Sequence, residues 1–235
     1  MAAVGYPIGV FTIPAAEKVT DENSPYYGYT VVNNNGFIIE SDTEKEVLGC
    51  SQPDFTMGIR SSLKYKNVQF TLLGDWRKGG YMYSGTAFIS LYNGNSIHTL
   101  FNERNSYIVP NSVKIVNGEY VENNLMIKTD QINYALGNPS FNPEVRRGYI
   151  IPKDYFKIRE ISLSYLIPET YLQRIPVTSA SVSLVGRNLF LFTPKRNNYV
   201  DPEASNLGDD ILTEFGETTG LSSTRNYGLT IKLSF

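Results

Sequence analysis

The stretch that most constrains the fold is the last one, residues 224–235, in which apolar and polar side chains alternate. Successive side chains of a β-strand point to opposite faces, so the pattern predicts one wholly apolar face and one wholly polar face. A soluble sandwich and a barrel wall both use such strands, and the neighbouring strands therefore decide the fold. The apolar positions are Tyr227, Leu229, Ile231, Leu233 and Phe235, and the polar ones are Asn226, Gly228, Thr230, Lys232 and Ser234.

Five further stretches predict strands. Residues 55–65 alternate in the same way, Lys66 and Asn67 make a tight turn, and alternation resumes over residues 68–76, which together predict a hairpin. The chain is therefore predicted to be all-β, with about six antiparallel strands. The remaining candidate strands are residues 5–13, 161–167 and 181–192.

The connections between these strands alternate between short and long. The short ones are residues 66–67 and 168–176, and the long ones are residues 14–54, 79–153 and 194–221. Compact soluble domains rarely contain structureless loops beyond about 12–15 residues, whereas outer-membrane barrels combine short periplasmic turns with long extracellular loops. The last strand, at ~3.3 Å per residue and a tilt of ~40°, rises roughly 20 Å, close to the ~25 Å apolar band of such barrels.

Six strands are too few to close a barrel. Bacterial barrels begin at about eight strands, and an open sheet in lipid leaves the N–H and C=O groups of its edges unpaired. We therefore expect the C-terminal end of a larger transmembrane β-barrel, incomplete on its own. Residues 1–13 have no basic segment and are interrupted by Pro7, so they do not fit a signal peptide, and we expect the true N-terminus to be missing.

Composition argues against several other classes of protein. With a net charge of -2, the chain lacks the basic surface expected of a nucleic-acid-binding protein. A single cysteine, Cys50, excludes an intrachain disulfide and a thiolate zinc site. No apolar run approaches the ~18 residues of a membrane-spanning helix, so any crossing of a membrane must use strands.

Several stretches resemble, in the same order, the C-terminal portion of SusC/RagA-type TonB-dependent outer-membrane transporters. The most specific is YFKIREISLSYLIP at residues 155–168, which is similar to that family's vkLREvsLsYtlP. Residues 223–229 are similar to its pstRsygfgl, with Ser222 where the family usually has proline. The other stretches are residues 4–7, 75–80, 185–190 and 201–203, and the motif positions are Arg159, Glu160, Arg187, Asn188, Leu189, Asp201, Pro202, Glu203, Arg225 and the terminal Phe235.

The resemblance implies the last strands of a barrel of about 22 strands, with the plug domain and earlier strands outside residues 1–235. It implies import of glycans or peptides through the bacterial outer membrane, no enzymatic activity and no cofactor. The implied partners are a SusD-like surface lipoprotein, membrane lipid, and the TonB–ExbB–ExbD complex acting through the missing plug. Phe235 fits a recognition signal for outer-membrane assembly.

Candidate sites are weaker than these motifs. His98 is the only histidine, and no nucleophile-elbow sequence surrounds it, so an ordinary loop residue is the favoured interpretation. The loop at residues 197–220 contains acids but no lysine or arginine, so Ca²⁺ binding and a solvated acidic loop are both open. Asp201 and Glu203 could instead fix the loop or contact the lipoprotein. The remaining acids are Asp209, Asp210, Glu214 and Glu217.

Other candidates depend on where the strands end. Arg187 and Asn188 are predicted near the outer end of a strand, where they could face the lumen and hydrogen-bond the acidic loop. A structural role there is favoured over contact with substrate. Arg159 and Glu160 are predicted on opposite faces, with Glu160 in the lumen and Arg159 at headgroup level. The aromatic residues that could stack on sugars, pack within loops or lie at the membrane rim are Tyr81, Tyr83, Tyr92, Phe88 and Phe101.

Two other classes of protein remain open. A secreted all-β carbohydrate-binding module would use the same aromatic residues, but it should fold alone and stay soluble. We expect this chain to need detergent. A complete small porin is disfavoured by the number of strands.

Overall fold

The structure, a computed structural model, describes residues 5–204 and 214–235 and consists mainly of β-strands. In chain order the strands are β1 (Val10–Ala16), β2 (Thr30–Val32), β3 (Glu40–Cys50), β4 (Phe55–Tyr65), β5 (Val68–Lys78), β6 (Tyr81–Ser84), β7 (Ser112–Val116), β8 (Glu119–Glu122), β9 (Ile150–Pro152), β10 (Tyr155–Ile167), β11 (Ser179–Phe192), β12 (Gly216–Glu217) and β13 (Asn226–Ser234). The α-helices are α1 (Gly85–Tyr92) and α2 (Ile132–Gly137), and 3-10 turns lie at Ile97–Arg104, Thr129–Gln131, Pro143–Gly148 and Glu169–Tyr171.

Five of the predicted strands form one antiparallel sheet, in the order β13–β11–β10–β5–β4. Tyr65 lies opposite Val68 at the tight turn, and Leu184 lies opposite Leu229. In the described parts of the chain, β4 and β13 are the edges of this sheet and do not pair with each other, so the sheet is open. The predicted all-β fold is confirmed. The sixth predicted strand is found as β1, which pairs with β3 in a separate sheet.

One face of this five-stranded sheet, which we call the apolar face, is exposed. The register places Tyr227 opposite Gly186, and Leu229 opposite Leu184, so apolar positions of neighbouring strands share this face. Tyr227 is 78% exposed and Leu229 is 62% exposed, although both are apolar. Other large, exposed members of the apolar face are Phe55, Met57, Leu63, Tyr65, Val68, Trp76, Leu163, Tyr165, Leu184, Phe190, Phe192, Ile231 and Leu233.

The connections leave the sheet as the sequence predicts. The turn at Lys66 and Asn67 and the connection from β10 to β11 lie at one end of the sheet, and the long connections leave at the other. Asn67 Nδ2 donates to the Leu166 carbonyl at 2.9 Å and holds the tight turn against the end of β10. The long connections are not irregular, however, because residues 14–54 and 79–153 contain β2, β3, β6–β9 and both helices.

The chain folds as two compact units. Of the described residues, the first contains 5–51, 81–151 and 214–220, and the second contains Gln52–Gly80, Pro152–Ala204 and Leu221–Phe235, which include the five-stranded sheet. Apart from Leu172 and Ala180, every buried hydrophobic residue in the described ranges belongs to the first unit. The sheet therefore has almost no apolar core of its own.

The first unit has a conventional core beneath small sheets of order β1–β3, β12–β6–β9 and β2–β7–β8. Ile127, Ile132 and Phe37 are nearly inaccessible and pack in one cluster, while Val31 and Val113 pack in another. None of the helices in the described ranges has the length and apolar character needed to cross a bilayer.

Candidate functional site

The polar face of the five-stranded sheet changes in character along the strands. Toward the short connections it carries small hydroxyl groups. There Ser183 Oγ donates to Ser164 Oγ at 2.8 Å, and Gln69 Nε2 donates to Ser62 Oγ at 3.0 Å. Toward the long connections it carries charged side chains that pair with one another and with the loop after β11. These charged side chains form the candidate site.

We call this set of residues the charged cluster. Lys157 Nζ donates to Asp201 Oδ2 at 2.6 Å and to Glu203 Oε2 at 2.9 Å. The Lys157 and Asp201 side chains are only 5% and 4% exposed. A lysine so deeply buried is stable as a cation only when acids lie against it, and this loop supplies two. The members are Asp75, Tyr155, Lys157, Arg159, Asp201 and Glu203.

Glu203 completes the charged cluster from the loop side. Its carboxylate accepts hydrogen bonds from the Tyr155 hydroxyl at 2.8 Å, from Lys157 and from Arg159 Nη2. Partial burial raises the pKa of the Glu203 carboxyl, but the hydrogen bonds from Arg159, Lys157 and Tyr155 outweigh burial and hold that pKa below its ordinary value. Glu203 is therefore ionised at neutral pH.

A β-bulge in β10 brings Arg159 into the charged cluster. Leu73 and Gly74 are adjacent on β5. Their partners on β10 are Glu160 and Ile158, so Arg159 between those partners is one extra residue in β10. An extra residue changes which parity of side chains points to each face of a strand.

Lys157 before the bulge and Glu160 after it therefore share the polar face. Arg159 points the same way, since its Nε donates to Asp75 Oδ2 at 2.6 Å, and Asp75 lies opposite Lys157 on that face. The prediction that Arg159 and Glu160 lie on opposite faces, with Arg159 at headgroup level, is wrong, because simple alternation assumes a strand without a bulge.

The motif residues of β11 contact the sheet and the start of β13. Arg187 Nε donates to Glu160 Oε2 at 2.9 Å, so Arg187 pairs with the neighbouring strand. The prediction that it hydrogen-bonds the acidic loop falls partly on residues 205–213, which lie outside the described residues. Asn188 has a φ of 52° and its Nδ2 donates to the Thr224 carbonyl at 3.3 Å. The Leu189 side chain lies against Gly186, where a Cβ would come within 2.9 Å of it.

Of the three remaining motif residues, Pro202 is buried in the loop after β11 and the other two lie at the surface. Arg225 is exposed immediately before β13, and Phe235 lies just beyond that strand with 83% of its surface exposed. The structure assigns neither of them to the charged cluster.

Three described acids of the loop at residues 197–220, Asp201, Glu203 and Glu217, accept hydrogen bonds from the protein itself. Glu217 is 1% exposed and accepts from the Ser84 hydroxyl, from Thr86 Oγ1 at 2.8 Å and from the Thr86 N–H at 3.1 Å. The carboxylate thus lies at the N-terminus of α1, where the helix dipole favours a negative charge. Sequence reasoning counted Glu217 only as one of six acids and did not single it out.

Calcium binding in this loop stays a prediction. Asp209 and Asp210 lie outside the described residues. Within residues 5–204 and 214–235, no group of three or more acidic, histidine or cysteine side chains is placed to hold a metal ion. Asp201 and Glu203 are already paired with Lys157 and Arg159.

The aromatic candidates lie in and around α1. Tyr83 and Phe88 both pack edge-to-face on Tyr149, at ring-centroid distances of 5.5 Å and 5.4 Å. The Tyr81 ring covers Gly49, where a Cβ would lie 2.5 Å from it. Tyr92 packs on Phe88 but is 48% exposed, so of the three candidate tyrosines it is the one most open to a ligand. Burial raises the pKa of Tyr149 to about 12.

His98 is exposed, and its backbone N–H donates to Ser96 Oγ at 3.3 Å. Phe101 packs on Tyr107 and is half-exposed. Neither residue contributes to the charged cluster.

Comparison with known proteins gives a consistent result. No family model matches the chain. The chain is 27% identical over 176 residues to TonB-dependent receptor P26 of Formosa agariphila, a match to 75% of this chain and 16% of the receptor. It is 24% identical over 180 residues to TonB-dependent receptor P3 of the same organism, covering 76% of this chain and 15% of the receptor. The chain thus spans about one sixth of the length of these relatives.

Solved structures match the fold over nearly the whole chain. The RagAB peptide importer in its open-open state matches with a TM-score of 0.59 at 15% identity, covering 98% of this chain and 23% of the importer chain. The closed-closed state matches with a TM-score of 0.56 at 17% identity, over 96% of this chain and 23% of that one.

These relatives are receptors and importers, so the prediction that the chain is not an enzyme is confirmed. The predicted resemblance is confirmed at the level of the TonB-dependent receptors. The chain is similar in sequence to two TonB-dependent receptors, and its fold is similar to that of part of the RagAB importer.

Proposed function

We propose that the chain is the C-terminal part of the barrel of a SusC/RagA-type TonB-dependent transporter in the bacterial outer membrane. The transporter imports oligosaccharides or peptides, with a SusD-like lipoprotein over its extracellular loops and TonB–ExbB–ExbD as its source of energy. The plug domain and the earlier strands belong to parts of the transporter beyond residues 1–235.

One observation carries this proposal: the open five-stranded sheet exposes a continuous apolar face and carries its charges on the other face. In water, such a surface would be an aggregation hazard, because monomeric proteins rarely expose apolar patches larger than a few hundred Å². In a bilayer, the same surface is in its preferred solvent, and the polar face lines the interior of the barrel.

The two edge strands support the same assignment. An edge strand in lipid must be paired, since each unpaired N–H or C=O group costs several kcal/mol there. We infer that β4 and β13 pair with the earlier strands of the transporter. The relatives are long enough to supply those strands, since the matched region is about one sixth of their length.

The connections set the orientation of the sheet. In barrels of this kind, short turns face the periplasm and long loops face the outside. The end with Lys66 and Asn67 is therefore periplasmic, and the charged cluster lies near the extracellular mouth. A lipoprotein lid would lie over the long connections, and the half-exposed Tyr92 would be available to it or to a substrate.

The test is site-directed spin labelling of β13 in the protein purified from outer membranes. With Cys50 changed to serine, single cysteines replace Leu229 on the apolar face or Thr230 on the polar face. Lipid-soluble oxygen should speed the relaxation of a spin label at position 229, and a water-soluble nickel complex should speed that of a label at position 230. Equal relaxation enhancement by the nickel complex at both positions would contradict the membrane assignment.

The substrate class needs a separate experiment. The likeness to RagAB lies at 15–17% identity, so it supports the fold and does not choose between glycans and peptides. Deletion of the gene should abolish growth on one class of polymeric nutrient and leave growth on its monomers unchanged. Loss of growth on a polysaccharide would identify glycans as the substrate class, and loss of growth on a peptide would identify peptides.

The alternative, a secreted carbohydrate-binding module, has less support. Its aromatic face would need exposed rings, but Tyr83 packs against Tyr149 and Tyr81 covers Gly49. A monodisperse, soluble monomer that unfolds cooperatively without detergent would favour the module over the transporter.

A further inference from the structure

We propose that residues 193–204 form a strap across the polar face of the sheet, with a permanent anchor at Asn197 and Asp201 and a releasable anchor at Glu203. The inference rests on the difference in burial between these contacts. It concerns this loop alone and does not require that the protein transports anything.

The permanent anchor is buried. Asn197 is 1% exposed, and its Nδ2 donates to the Pro152 carbonyl at 3.4 Å. Asp201 pairs with Lys157 where neither side chain is more than 5% exposed. Removing one partner of such a pair leaves a buried charge without compensation, so this anchor can open only at a large cost in free energy.

The releasable anchor is partly exposed to solvent. The Glu203 side chain is 27% exposed and its partner Arg159 is 32% exposed. Water and dissolved ions can therefore replace each member of the Glu203–Arg159 pair for the other, and exposed ion pairs of this kind contribute little to stability. Glu203 also accepts from the buried Lys157, but Lys157 retains Asp201 as its counter-ion when Glu203 leaves. The same strap thus carries one contact that solvent reaches and another that solvent does not.

The backbone of the strap allows the two anchors to move separately. The Asn197 N–H donates to the Pro194 carbonyl at 2.8 Å, which closes a first turn. The Ala204 N–H donates to the Asp201 carbonyl at 2.9 Å, and the Glu203 N–H donates to Asp201 Oδ1 at 3.1 Å. Both of these backbone contacts of the second turn end on Asp201 and neither involves residues 194–197, so the turn can open at Glu203 without breaking the first turn.

Opening at Glu203 changes the charge of the polar face. Arg159, the Tyr155 hydroxyl and Lys157 each lose the Glu203 carboxylate, and Lys157 keeps Asp201. Arg159 also keeps Asp75, so the released state presents a cation with one remaining acid. Release of Glu203 from the polar face thus exposes a binding site for an anionic group, near the end of the sheet where the long connections leave.

Hydrogen exchange of the protein in detergent micelles tests the proposal. Glu203→Gln should speed exchange of the amides at residues 203–204 by about fivefold, as expected for loss of an exposed pair, and leave residues 194–200 within about twofold of wild type. Asp201→Asn should speed exchange across residues 197–204 by about a hundredfold or more. Arg187→Gln, which breaks a pair on the same face without contact to the strap, is the control and should leave both segments unchanged.

Ionic strength provides a second measurement that needs no destabilised variant. Raising it from about 0.05 M to about 0.5 M should speed exchange at residues 203–204 in the wild type and have no effect there in Glu203→Gln, because screening acts on exposed charges. The proposal is overturned if Glu203→Gln opens residues 194–200 as widely as residues 203–204, or if salt has no effect on residues 203–204 of the wild type.

Discussion

Lys157 Nζ lies 2.6 Å from Asp201 Oδ2, so that a strand and a loop 44 residues apart in sequence meet in an almost completely buried ion pair. This contact explains why lysine on β10 and the Asp201-Pro202-Glu203 sequence occur together. The loop acids neutralise cations of the sheet, and the sheet in turn determines where the loop lies.

We expect Lys157→Met to destabilise the protein by about 3–5 kcal/mol, because Asp201 would remain buried without its cation. Adding Asp201→Asn should recover a substantial part of that loss. The measurement is a denaturant titration in detergent micelles. Arg187→Gln is the matched control: the Arg187 side chain is 65% exposed, so its loss should cost at most about 1 kcal/mol. Equal costs for the two single variants would contradict the difference in burial.

The contact made by Glu203 should depend on pH in one direction only. Its folded-state pKa lies below the ordinary value of 4.5, so its contribution to stability is fully present above pH 4.5 and is lost as the pH falls through the folded-state pKa. Protease nicking between residues 199 and 204 should therefore increase on acidification below about pH 4.5. Glu203→Gln should remove this dependence, and a wild-type profile that rises toward high pH would refute it.

Substitutions on the two faces of β13 should differ sharply if the sheet lies in a bilayer. Leu229→Lys puts a charge toward lipid and should lower the free energy of unfolding by about 2–4 kcal/mol, whereas Thr230→Lys puts it on the polar face and should be tolerated. Heat modifiability of the outer-membrane fraction on gels reports the folded fraction. Comparable yields of both variants would argue against lipid contact.

Glu217 should be more important than its place in an acidic loop suggests. Glu217→Ala removes the acceptor for Ser84 and Thr86 at the start of α1, and we expect a loss of about 1–3 kcal/mol, together with faster exchange of the Ala87 amide. Glu44→Gln, on an exposed part of β3, is the control. An unchanged Ala87 amide in Glu217→Ala would show that the carboxylate does not hold the helix.

Gly137 is required by the close approach of α2 to α1. A Cβ at Gly137 would lie 2.2 Å from the Leu91 carbonyl oxygen, which is backbone and cannot move alone. Gly137→Ala should therefore cost about 1–3 kcal/mol through overpacking. At Gly228 nothing lies within 4 Å of the added methyl group, so Gly228→Ala should be nearly neutral. Thermal unfolding of the two variants separates these outcomes.

Sequence reasoning succeeded where one periodicity dominates. The strands around Tyr65 and Val68, and β13 itself, follow from alternation and turn chemistry because nearly every residue there obeys the same pattern, with Ser61 and Leu73 as exceptions. It failed at Arg159, where one inserted residue shifts the parity within a single strand. It also left Glu217 unremarked, because the hydroxyl partners that bury it lie more than 130 residues earlier in the chain.

The exposed apolar face and the two edge strands also bear on biogenesis. Between the ribosome and a bilayer, the side chains around Leu229 and the backbone edges of β4 and β13 would meet only water or other copies of the same chain. Strand edges of this length pair readily with each other and lead to aggregation. If the sheet belongs in a bilayer, we expect the chain to need a holding chaperone during transit, so that the supply of that chaperone limits expression before the stability of the folded sheet does.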